Sequence, residues 1–540
     1  MFIDEALNLV YFYAKGVCDK SEMKEISKEL LSIAGKKNHS FENSVQKVES
    51  YASAQNMLSK LNEKESIRKS KGVYYTPCDV VRFIVINSIK SSYGKLKPSN
   101  IGEESLTDIP YKAFAINRTV FDPTCGAGEY LLVALEVKFD LLNQHYRRIP
   151  KRVVEDTVAT IFGNDINPES VIITKLRLFL CVLRKYGARY CRGLSAIMKK
   201  NFTTYDYVQE KPKKVKYDII VGNPPYVEDF KSGLVLKERY GNIYANVIIN
   251  ASKQLSDSGS IGFIIPLSYI STPRMSDLRD ALMHEVTEQY ILSYADRPDC
   301  LFDSVHQKLC ILVGKKKKGK KSIYTGNYQY WYKEERKNLF SNTQVVKNNF
   351  ISNHFIPKFG TDMDVAIFKK ITDPRFMKSV YAVSRDGHES VYLNRRETFW
   401  MKAYREKVDD PEYKVFSFDN QYAADYCYCL INSSLFWWYW ICTSDCWHVS
   451  KDLNGFMAPF KGEYRKANKL SETLRRKLEE TKVYVGTKQT EYEYKHRQCI
   501  KEIHAIDDYV NDLFGLTLEE SNYIKNFAFK YRTSGGTELE

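Results

Sequence analysis

The segment Asn223-Pro224-Pro225-Tyr226 combines residue types that could recognise a flat ring carrying an amino group. Two successive prolines fix two φ angles and remove two N–H donors, so the segment should be a rigid loop with outward-facing carbonyl groups. The Asn223 side-chain carbonyl and the Pro224 backbone carbonyl could both accept hydrogen bonds from an exocyclic NH₂ group, which would free the nitrogen lone pair for attack. Tyr226 could stack on the ring. A strand-end turn without chemistry is an open alternative for these four residues taken alone.

A glycine-rich turn lies upstream, between a predicted strand and a predicted helix, over residues 122–129. Glycines let a ligand approach the backbone closely. Asp122 and Glu129 bracket the turn and would repel a pyrophosphate at that helix N-terminus. The two acids suit a ligand with an ammonium and a sulfonium, which is S-adenosyl-L-methionine, with S-adenosyl-L-homocysteine as the product. We therefore assign to the cofactor site Asp122, Pro123, Cys125, Gly126 and Gly128.

Two further acids follow predicted strands. Asp165, with Ile166 beside it, could accept hydrogen bonds from both ribose hydroxyls of the cofactor. Asp206 could accept from the adenine amino group of the cofactor, with Tyr207 beside the ring. A helix cap at residues 164–167 and an ordinary turn at Asp206 are the alternatives for each segment alone. Together the four segments occur in one order, each at a strand end, which strengthens the hypothesis more than any single segment does.

These residues must be positioned by short apolar strands that alternate with longer amphipathic segments between residues 73 and 313. The clearest strands are Thr119–Phe121, Ala159–Gly163, Tyr217–Val221 and Ser260–Ile265. This alternation predicts an α/β fold with a doubly wound, mostly parallel, Rossmann-like sheet and helices on both faces. Ligands in such folds bind outside the carboxyl ends of the strands, where the polar segments lie.

The chain divides into four predicted regions. They are a helical N-terminal extension (1–70), a catalytic domain (71–321), a mixed α/β second domain (322–469) and a helical C-terminal region (470–540). In the first region, Asp19 and Glu22 are spaced as a capping box ahead of a helix over Met23–Ala34, and Gly35 stands where that helix should stop. The lysine-rich run 315–321 marks the end of the catalytic domain, and a solvated loop is favoured there over a contact with a DNA backbone.

Composition narrows the class of protein. The chain has 540 residues, 44% hydrophobic and 27% charged, which is typical of a soluble protein with two or three domains. No apolar run reaches the ~18 residues of a membrane span, and the N-terminus lacks a secretory pattern, so we expect no membrane partner and a cytoplasmic, nucleoid-associated location. Twelve cysteines do not indicate a disulfide scaffold. The net charge of +15 favours a nucleic-acid partner over a merely basic surface, without separating DNA from RNA.

With these motifs in order, the chain resembles the gamma-class (TaqI-like) N6-adenine DNA methyltransferases of restriction-modification systems, strongly over roughly 71–313 and loosely beyond. Gly72–Pro77, followed by a predicted helix over Val80–Ile89, matches the family's first cofactor motif. The match implies that Thr76 and Pro77 lie over the methionine end of the cofactor. The glycine turn matches the family's Pro-x-Cys-Gly-x-Gly. Residues 223–226 match its catalytic tetrapeptide, in which Asn with Tyr points to adenine more than to the cytosine amino group.

The resemblance implies site-specific methylation of the N6 amino group of adenine in double-stranded DNA, with the base flipped out of the duplex and no metal or covalent intermediate. It also implies an aromatic residue that closes the base pocket opposite Tyr226. Phe302 is our candidate, with a core phenylalanine as the alternative. Residues 506–517 resemble the closing helix of the family's target-recognition region.

The second domain should then read the DNA sequence. Its candidate contacts to bases and phosphates, for which a solvated basic face is the alternative, are Arg395, Arg396, Lys402 and Arg405. The aromatic run 436–440 is more typical of a buried element than of a base-stacking platform. The spacing of Cys427, Cys429, Cys442, Cys446 and His448 is poor for a structural zinc site, and we expect no metal.

Many members of the family carry an endonuclease ahead of the first cofactor motif. Only about 70 residues precede the motif in this sequence, too few for an ordinary domain core, so we expect no cleavage activity. Three alternatives remain: a modification subunit that needs a separately encoded specificity subunit or acts beside a cognate restriction enzyme, an RNA or protein-glutamine methyltransferase, and a DNA-binding module without catalysis. The threonine-proline motif argues against the second, and the intact tetrapeptide 223–226 argues against the third.

Overall fold

A computed structural model describes residues 2–41, 48, 50–63, 76–210, 214–302, 305–317, 319, 321–374, 377–384, 387–408, 410–460, 464–486 and 492–533. The helices are Phe2–Lys15 (α1), Lys20–Ala34 (α2), Tyr51–Glu63 (α3), Cys78–Ser92 (α4), Tyr111–Asn117 (α5), Glu129–His145 (α6), Lys151–Val158 (α7), Pro168–Tyr186 (α8), Ala188–Cys191 (α9), Leu194–Asn201 (α10), Ile243–Lys253 (α11), Ser268–Ser271 (α12), Ser276–Glu285 (α13), Asp362–Ile371 (α14), Val380–Val383 (α15), Gln421–Asn432 (α16), Ser434–Thr443 (α17), Arg465–Thr481 (α18), Ile500–Leu513 (α19), Leu518–Asn526 (α20) and Phe529–Thr533 (α21). The strands are Val120–Asp122 (β1), Ile161–Asn164 (β2), Phe202–Thr203 (β3), Tyr217–Gly222 (β4), Leu255–Pro266 (β5), Glu288–Tyr294 (β6), Leu309–Lys315 (β7), Ser322–Gln329 (β8), Val346–Asn348 (β9), Lys378–Ser379 (β10), Glu389–Asn394 (β11), Ala403–Tyr404 (β12), Tyr413–Phe418 (β13), Met457–Ala458 (β14), Val483–Tyr484 (β15) and Tyr492–Glu493 (β16).

One large sheet organises the catalytic region, with the strand order β3-β2-β1-β4-β5-β7-β6-β8-β9. The strands from β3 to β5 are parallel. β7 runs antiparallel to both β5 and β6, while β6 and β8 are parallel. The predicted doubly wound, mostly parallel sheet is therefore confirmed, and all four strands expected from the sequence are present with shifted ends. The reversal of strand order beside β1 and β4 is the place where ligands bind in such sheets.

The sheet extends beyond the boundary expected between residues 321 and 322. β8 lies alongside β6 and β9 alongside β8, so the catalytic sheet continues to residue 348. Ile323 and Thr325 of β8 are buried, which gives this strand a core-facing side. In the sequence, the lysine-rich run therefore stands between two strands of one sheet, β7 and β8. It does not mark the end of that sheet, because β8 buries side chains in the same core.

The N-terminal helices pack on the catalytic region. α1 and α3 both contact α8, and the Gln55 amide of α3 donates to the Arg177 carbonyl of α8 at 3.0 Å. α2 begins at Lys20, three residues before the predicted Met23. The predicted capping box is present, with the Asp19 carboxylate accepting from the backbone N–H of Glu22 at 2.9 Å. The helix ends at Gly35, whose φ of 67° is the left-handed conformation that glycine adopts readily.

The second region is mixed, as expected, and the C-terminal region is helical. A three-stranded sheet of order β12-β11-β13 lies beside α16, which in turn packs against α18 and α19. The aromatic run 436–440 forms α17, which is buried on all sides and contacts β8 of the large sheet. The three indole N–H groups of this helix all find acceptors, on Thr398, Asp364 and His448.

The described part of the chain contains neither a membrane-spanning helix nor a cluster of metal-ligating side chains. In those residues, no helix combines the length and the apolar character needed to cross a membrane. The same residues contain no group of three His, Cys, Asp or Glu side chains placed to hold a metal ion. Cys427, Cys429, Cys442 and Cys446 are buried thiols, whereas His448 is exposed and contacts the Asp445 carboxylate at 2.8 Å.

Candidate active site

The carboxyl ends of β1 and β4 meet at the centre of the sheet. Phe121 pairs with Ile220, which brings Asp122 beside the end of β4. A Cβ atom on Gly222 would lie 2.8 Å from Asp122 Oδ1, so only glycine lets the Asp122 carboxylate approach this closely. Asn223 follows Gly222 directly. The predicted catalytic segment therefore starts next to Asp122, which we predict to hold the cofactor.

Asp122 is a carboxylate with unfilled hydrogen-bonding capacity. Its side chain is 1% exposed, and Oδ1 accepts from the Thr124 N–H at 3.0 Å. Oδ2 is buried and has no hydrogen-bond partner among the described residues. Burial raises the pKa of Asp122 well above its usual range, and the nearby Asp165 charge adds to this effect. We expect a cationic donor to bind this buried oxygen, because a buried acceptor without a hydrogen bond costs free energy.

The glycine turn is held against β2 and α8. Gly126 and Gly128 have φ values of 51° and 84°, in the left-handed region. A Cβ on Gly128 would lie 2.5 Å from Thr174 of α8, while the Thr174 hydroxyl donates to the Gly126 carbonyl at 2.9 Å. Cys125, a buried thiol, donates its N–H to the Asn164 carbonyl at 2.8 Å. These contacts with β2 and α8 fix the conformation of the turn without a ligand.

From the sequence we expect Glu129 to face a cationic ligand, but in the structure its carboxylate is paired inside the protein. It forms a two-pronged ion pair with Arg177, at 2.5 Å and 3.0 Å, and accepts from the Ser59 hydroxyl at 2.8 Å. The carboxylate therefore joins α6 to α8 and α3, and its charge is compensated inside the protein. Of the two acids that bracket the turn, Asp122 is the one available to a cationic ligand.

Asp165 lies at the end of β2 and reaches back to the glycine turn. Its Oδ2 accepts from the Gly126 N–H at 2.8 Å, and its Oδ1 accepts from the Asn167 N–H at 2.9 Å. Asn167 caps α8, which is the helix cap that the sequence offered as the alternative for this segment. The cap involves Asn167 and leaves the predicted cofactor role of Asp165 open. Asp165 is partly exposed and Ile166 is exposed, which leaves both side chains accessible to a ligand.

Asn164 ties three of the predicted cofactor segments together. Its buried side-chain amide donates to the Pro123 carbonyl at 3.0 Å and to the Tyr205 carbonyl at 3.1 Å. Its carbonyl accepts from the Thr203 hydroxyl at 3.0 Å. The sequence placed Asn164 only as an alternative helix cap, because hydrogen bonds to residues 41 positions away leave no local pattern.

Asp206 and Tyr207 occupy different environments. The partly exposed Asp206 carboxylate accepts from the Val208 N–H at 2.9 Å and from the Gln209 side chain at 2.8 Å, as in an ordinary turn. Tyr207 is buried, and its hydroxyl donates to Gln254 at 2.5 Å. The Tyr207 ring packs in the core against Phe121, so the expected position beside a bound adenine ring stays a prediction.

The Asn223 side chain is oriented by the first cofactor motif. Its Nδ2 donates to the buried Thr76 hydroxyl at 3.0 Å. Pro77 directly precedes α4 and fixes the start of that helix, while residues 72–75 of the motif lie outside the described residues. The amide is thereby held with its nitrogen towards Thr76.

Tyr226 is anchored by its hydroxyl, which donates to the Ile264 carbonyl of β5 at 2.9 Å. Burial raises the pKa of this phenol well above its usual range, so Tyr226 is neutral at physiological pH. The ring packs edge-on against Tyr244 and is partly exposed, while Pro224 is buried and Pro225 partly exposed. Anchoring at one end fixes the orientation of the ring that a target base would contact.

Tyr130 was not identified from the sequence. It is buried in the first turn of α6, and burial raises its pKa well above the usual range, with the Asp122 charge adding and the Thr76 hydroxyl opposing. It therefore lies near Asp122 and Thr76 of the cofactor segments and near Tyr226 of the catalytic segment. An aromatic residue two positions after Gly128 was a visible signal, but a core position was equally compatible with it.

Phe302 lies in the core, with a side chain 2% exposed. Its carbonyl accepts from the Cys300 thiol at 3.0 Å, and its backbone bridges to Val305. This position agrees with the alternative of a core phenylalanine, and contact between this ring and a target base stays a prediction.

The basic residues expected to contact DNA separate into two groups. Arg405 is buried and forms ion pairs with Asp425 at 3.0 Å and with Glu389 at 2.5 Å, so it stabilises the second region and does not face a ligand. Arg395 and Arg396 are exposed, with Arg396 3.7 Å from Glu412. Lys402 is partly buried.

Comparisons with known proteins find similarity over parts of this chain. Residues 159–299 match the model of the Eco57I restriction-modification methylase family. The chain is 24% identical over 231 residues to the type II methyltransferase M.CvrRI of Paramecium bursaria Chlorella virus XZ-6E, covering 41% of this chain and 44% of that protein. It is 30% identical over 155 residues to the modification methylase CviBIII of Paramecium bursaria Chlorella virus NC1A, covering 27% of this chain and 38% of that protein. The chain thus spans less than half the length of these curated relatives.

The fold has a counterpart among solved structures. The type IIL restriction-modification enzyme MmeI, solved in complex with DNA, matches with a TM-score of 0.54 and 11% identity. The match covers 88% of this chain and 81% of that one, so the two chains share a fold.

Proposed function

We propose that this chain, whose residues 159–299 match the Eco57I restriction-modification methylase family, transfers a methyl group from S-adenosyl-L-methionine to the N6 amino group of adenine in double-stranded DNA. The observation that carries the proposal is the placement of Asn223. Its side-chain amide is oriented by Thr76, which belongs to one cofactor motif. The strand end before it, at Gly222, lies against Asp122, which belongs to another cofactor motif.

The residues present fit the cofactor. Asp122 offers a buried carboxylate oxygen that a methionine ammonium would satisfy, and Asp165 offers partly exposed oxygens for ribose hydroxyls. When bound, S-adenosyl-L-methionine supplies an electrophilic methyl group on a sulfonium. The residues we assign to holding it are Thr76, Pro77, Asp122, Pro123, Cys125, Gly126, Gly128, Asp165, Ile166, Asp206 and Tyr207. None of these roles needs a metal ion.

The catalytic segment acts on the target amino group. The carbonyl oxygens of Asn223 and Pro224 accept its two hydrogens, which localises the nitrogen lone pair for attack. Neutral Tyr226 stacks on the base, a contact worth about 1–3 kcal/mol. This offsets part of the few kcal/mol that it costs to take an adenine out of the duplex. Transfer would be direct: the nitrogen–carbon bond would form as the carbon–sulfur bond breaks, and one amino proton would pass to solvent. The one hydroxyl of the segment, on Tyr226, is bound to the Ile264 carbonyl and is not needed as a nucleophile.

Double-stranded DNA is the partner favoured by the net charge of +15 and by exposed arginines on the second region. Because the second region packs on the same sheet as the catalytic residues, we propose that the chain reads its own target. A modification subunit that depends on a separate specificity subunit is the competing possibility. Purified single chain incubated with plasmid DNA separates the two, since a dependent subunit would leave the plasmid unmodified.

The test is long-read modification mapping of DNA from cells that express the chain. We expect N6-methyladenine at one recurring sequence motif. The matched control is Asn223→Ala, which should retain cofactor binding by calorimetry and leave the motif unmodified. Methylation at cytosine, at no DNA base, or at a near wild-type rate by Asn223→Ala would each contradict the proposal.

A further inference from the structure

The segment that follows Tyr226 forms a loop closed at its base. Glu228 and Asn242 form a backbone bridge, and the Ile243 N–H donates to the Val227 carbonyl at 2.9 Å. The Gly241 N–H donates to the Asp229 carboxylate at 2.6 Å, with a φ of 89° at Gly241. Loops with paired ends of this kind are compact and frequently functional. The stem fixes where the loop, residues 228–242, leaves the catalytic segment.

This loop presents two large apolar side chains to solvent. Phe230 is 74% exposed and Val235 is 86% exposed. A single exposed apolar residue is ordinary on a protein surface, but two on one loop beside a reactive segment indicate a contact surface. The Lys231 ammonium lies 5.2 Å from the centre of the Phe230 ring, so the apolar tip is joined to a positive charge.

The loop has three acidic and three basic side chains, so its net charge is zero, but two of the basic side chains stand apart from any acid. Glu228 faces Lys231 at 2.6 Å, and Glu238 accepts from the Tyr240 hydroxyl at 2.7 Å. Lys237 and Arg239 are exposed and form no ion pair within the described chain. A surface with apolar tips and free cations fits a polyanion that also offers flat apolar faces, which describes the phosphates and bases of DNA.

We infer that the loop 228–242 contacts the target duplex and that Phe230 stacks in the gap left by the extruded adenine. The inference rests on the proposed function. Phe230 is four residues from Tyr226, so their Cα atoms lie within about 14 Å of each other. An aromatic ring at that reach can cover the base faces that extrusion exposes, while Lys237 and Arg239 bind the adjacent phosphates. Phe230 is thereby a positioning residue that favours the flipped base and does not touch the reacting atoms.

The experiment uses the full chain and a duplex containing the motif found by modification mapping. Phe230→Ala, Phe230→Trp and the wild type are compared for initial methylation rate, and 2-aminopurine at the target position reports base extrusion. A second duplex carries an abasic site opposite the target adenine, so that extrusion requires no unpairing. Leu518→Ala is the matched control, because Leu518 is 79% exposed and lies at the start of α20.

We expect Phe230→Ala to lower the methylation rate and the 2-aminopurine signal about tenfold on the paired duplex, because one base-stacking contact is lost. The rate should return to within about twofold of wild type on the abasic duplex. Phe230→Trp and Leu518→Ala should match the wild type on both. Equal rates for Phe230→Ala and wild type on the paired duplex, or an equal loss on both duplexes, would overturn the inference alone. A wild-type chain that methylates no adenine would overturn the proposed function as well.

Discussion

The Asn223 side-chain amide donates to the Thr76 hydroxyl at 3.0 Å, across 147 positions of the chain. The bond joins the segment after β4 to the start of α4, so the group that we propose to accept from the target amine is oriented by a residue of the cofactor site. Side-chain amides that must present their carbonyl oxygen in one direction need such a partner, because the two ends of the amide are nearly the same in shape.

Thr76→Val should lower the methylation rate about tenfold and lower cofactor affinity by less, because valine keeps the side-chain contact with the cofactor that we assign to Thr76. The substitution keeps the shape of the side chain and removes the acceptor, so the Asn223 amide loses one fixed orientation, at a cost of about one hydrogen bond. Radiolabelled methyl transfer and calorimetry with S-adenosyl-L-methionine measure the two quantities. Thr473→Val, at a partly exposed position of α18, is the control and should behave as wild type. An unchanged transfer rate for Thr76→Val would remove this orienting role.

Cofactor affinity should increase as the pH rises through the raised pKa of Asp122. Burial raises the pKa of Asp122 in the free protein, and an ammonium ligand binds the ionised carboxylate, so binding must release a proton from this group. Calorimetry in two buffers of different ionisation enthalpy measures that release. Asp122→Asn should bind more weakly and lose the pH dependence attributable to this group. A wild-type affinity that is flat with pH would exclude Asp122 as the ammonium ligand.

Arg177→Met should lower the melting temperature strongly. Arg177 and Glu129 form a buried ion pair, and removing one partner of such a pair costs about 3–5 kcal/mol, because the other charge is left uncompensated. The double variant Arg177→Met/Glu129→Gln should recover part of the loss. Arg152→Met is the control, since Arg152 is exposed and 3.9 Å from Asp156. Calorimetric melting compares the four proteins, and an equal loss in the single and double variants would refute the uncompensated-charge explanation.

Glu397 should make the protein less stable as the pH rises. Burial raises the pKa of Glu397 from 4.5 to about 8, with the Lys402 charge and N–H opposing, so the folded state holds a proton that the unfolded state has lost. The stability contributed by this group is present below about pH 4.5 and falls by a few kcal/mol through about pH 8. Glu397→Gln should lack this term. The difference in melting temperature between variant and wild type, measured from pH 5 to 9, should widen with pH; a constant difference would contradict the shift.

Much of the fold could be predicted from local sequence patterns. Strand ends followed by turn residues located β1, β2, β4 and β5, because a buried strand in a parallel sheet is a short apolar run. The capping box at Asp19 and the stop at Gly35 could be predicted for the same reason, since both depend on neighbours within four residues. Asp122 could be placed at the site because it ends a strand directly ahead of the glycine turn.

Partners distant in the chain could not be predicted. Arg177 compensates Glu129 from another helix, and nothing in the sequence around either residue shows it. Arg405 has the same composition signal as an exposed DNA contact, yet Asp425 and Glu389 hold it inside the second region. Tyr207 lies in the core, where its hydroxyl donates to Gln254, 47 positions away in the chain. In each case the deciding interaction is tertiary.

The pairing of β8 with β6 determines where this chain can be divided. A fragment ending at residue 321 would leave the edge of β6 without its neighbour, exposing a row of backbone donors and acceptors that invites association between copies. A cut after residue 348 keeps β8 and β9 with the sheet. An exchange of second regions with a chain that shares this sheet, made to test our proposal that the second region reads the DNA sequence, should therefore begin beyond β9.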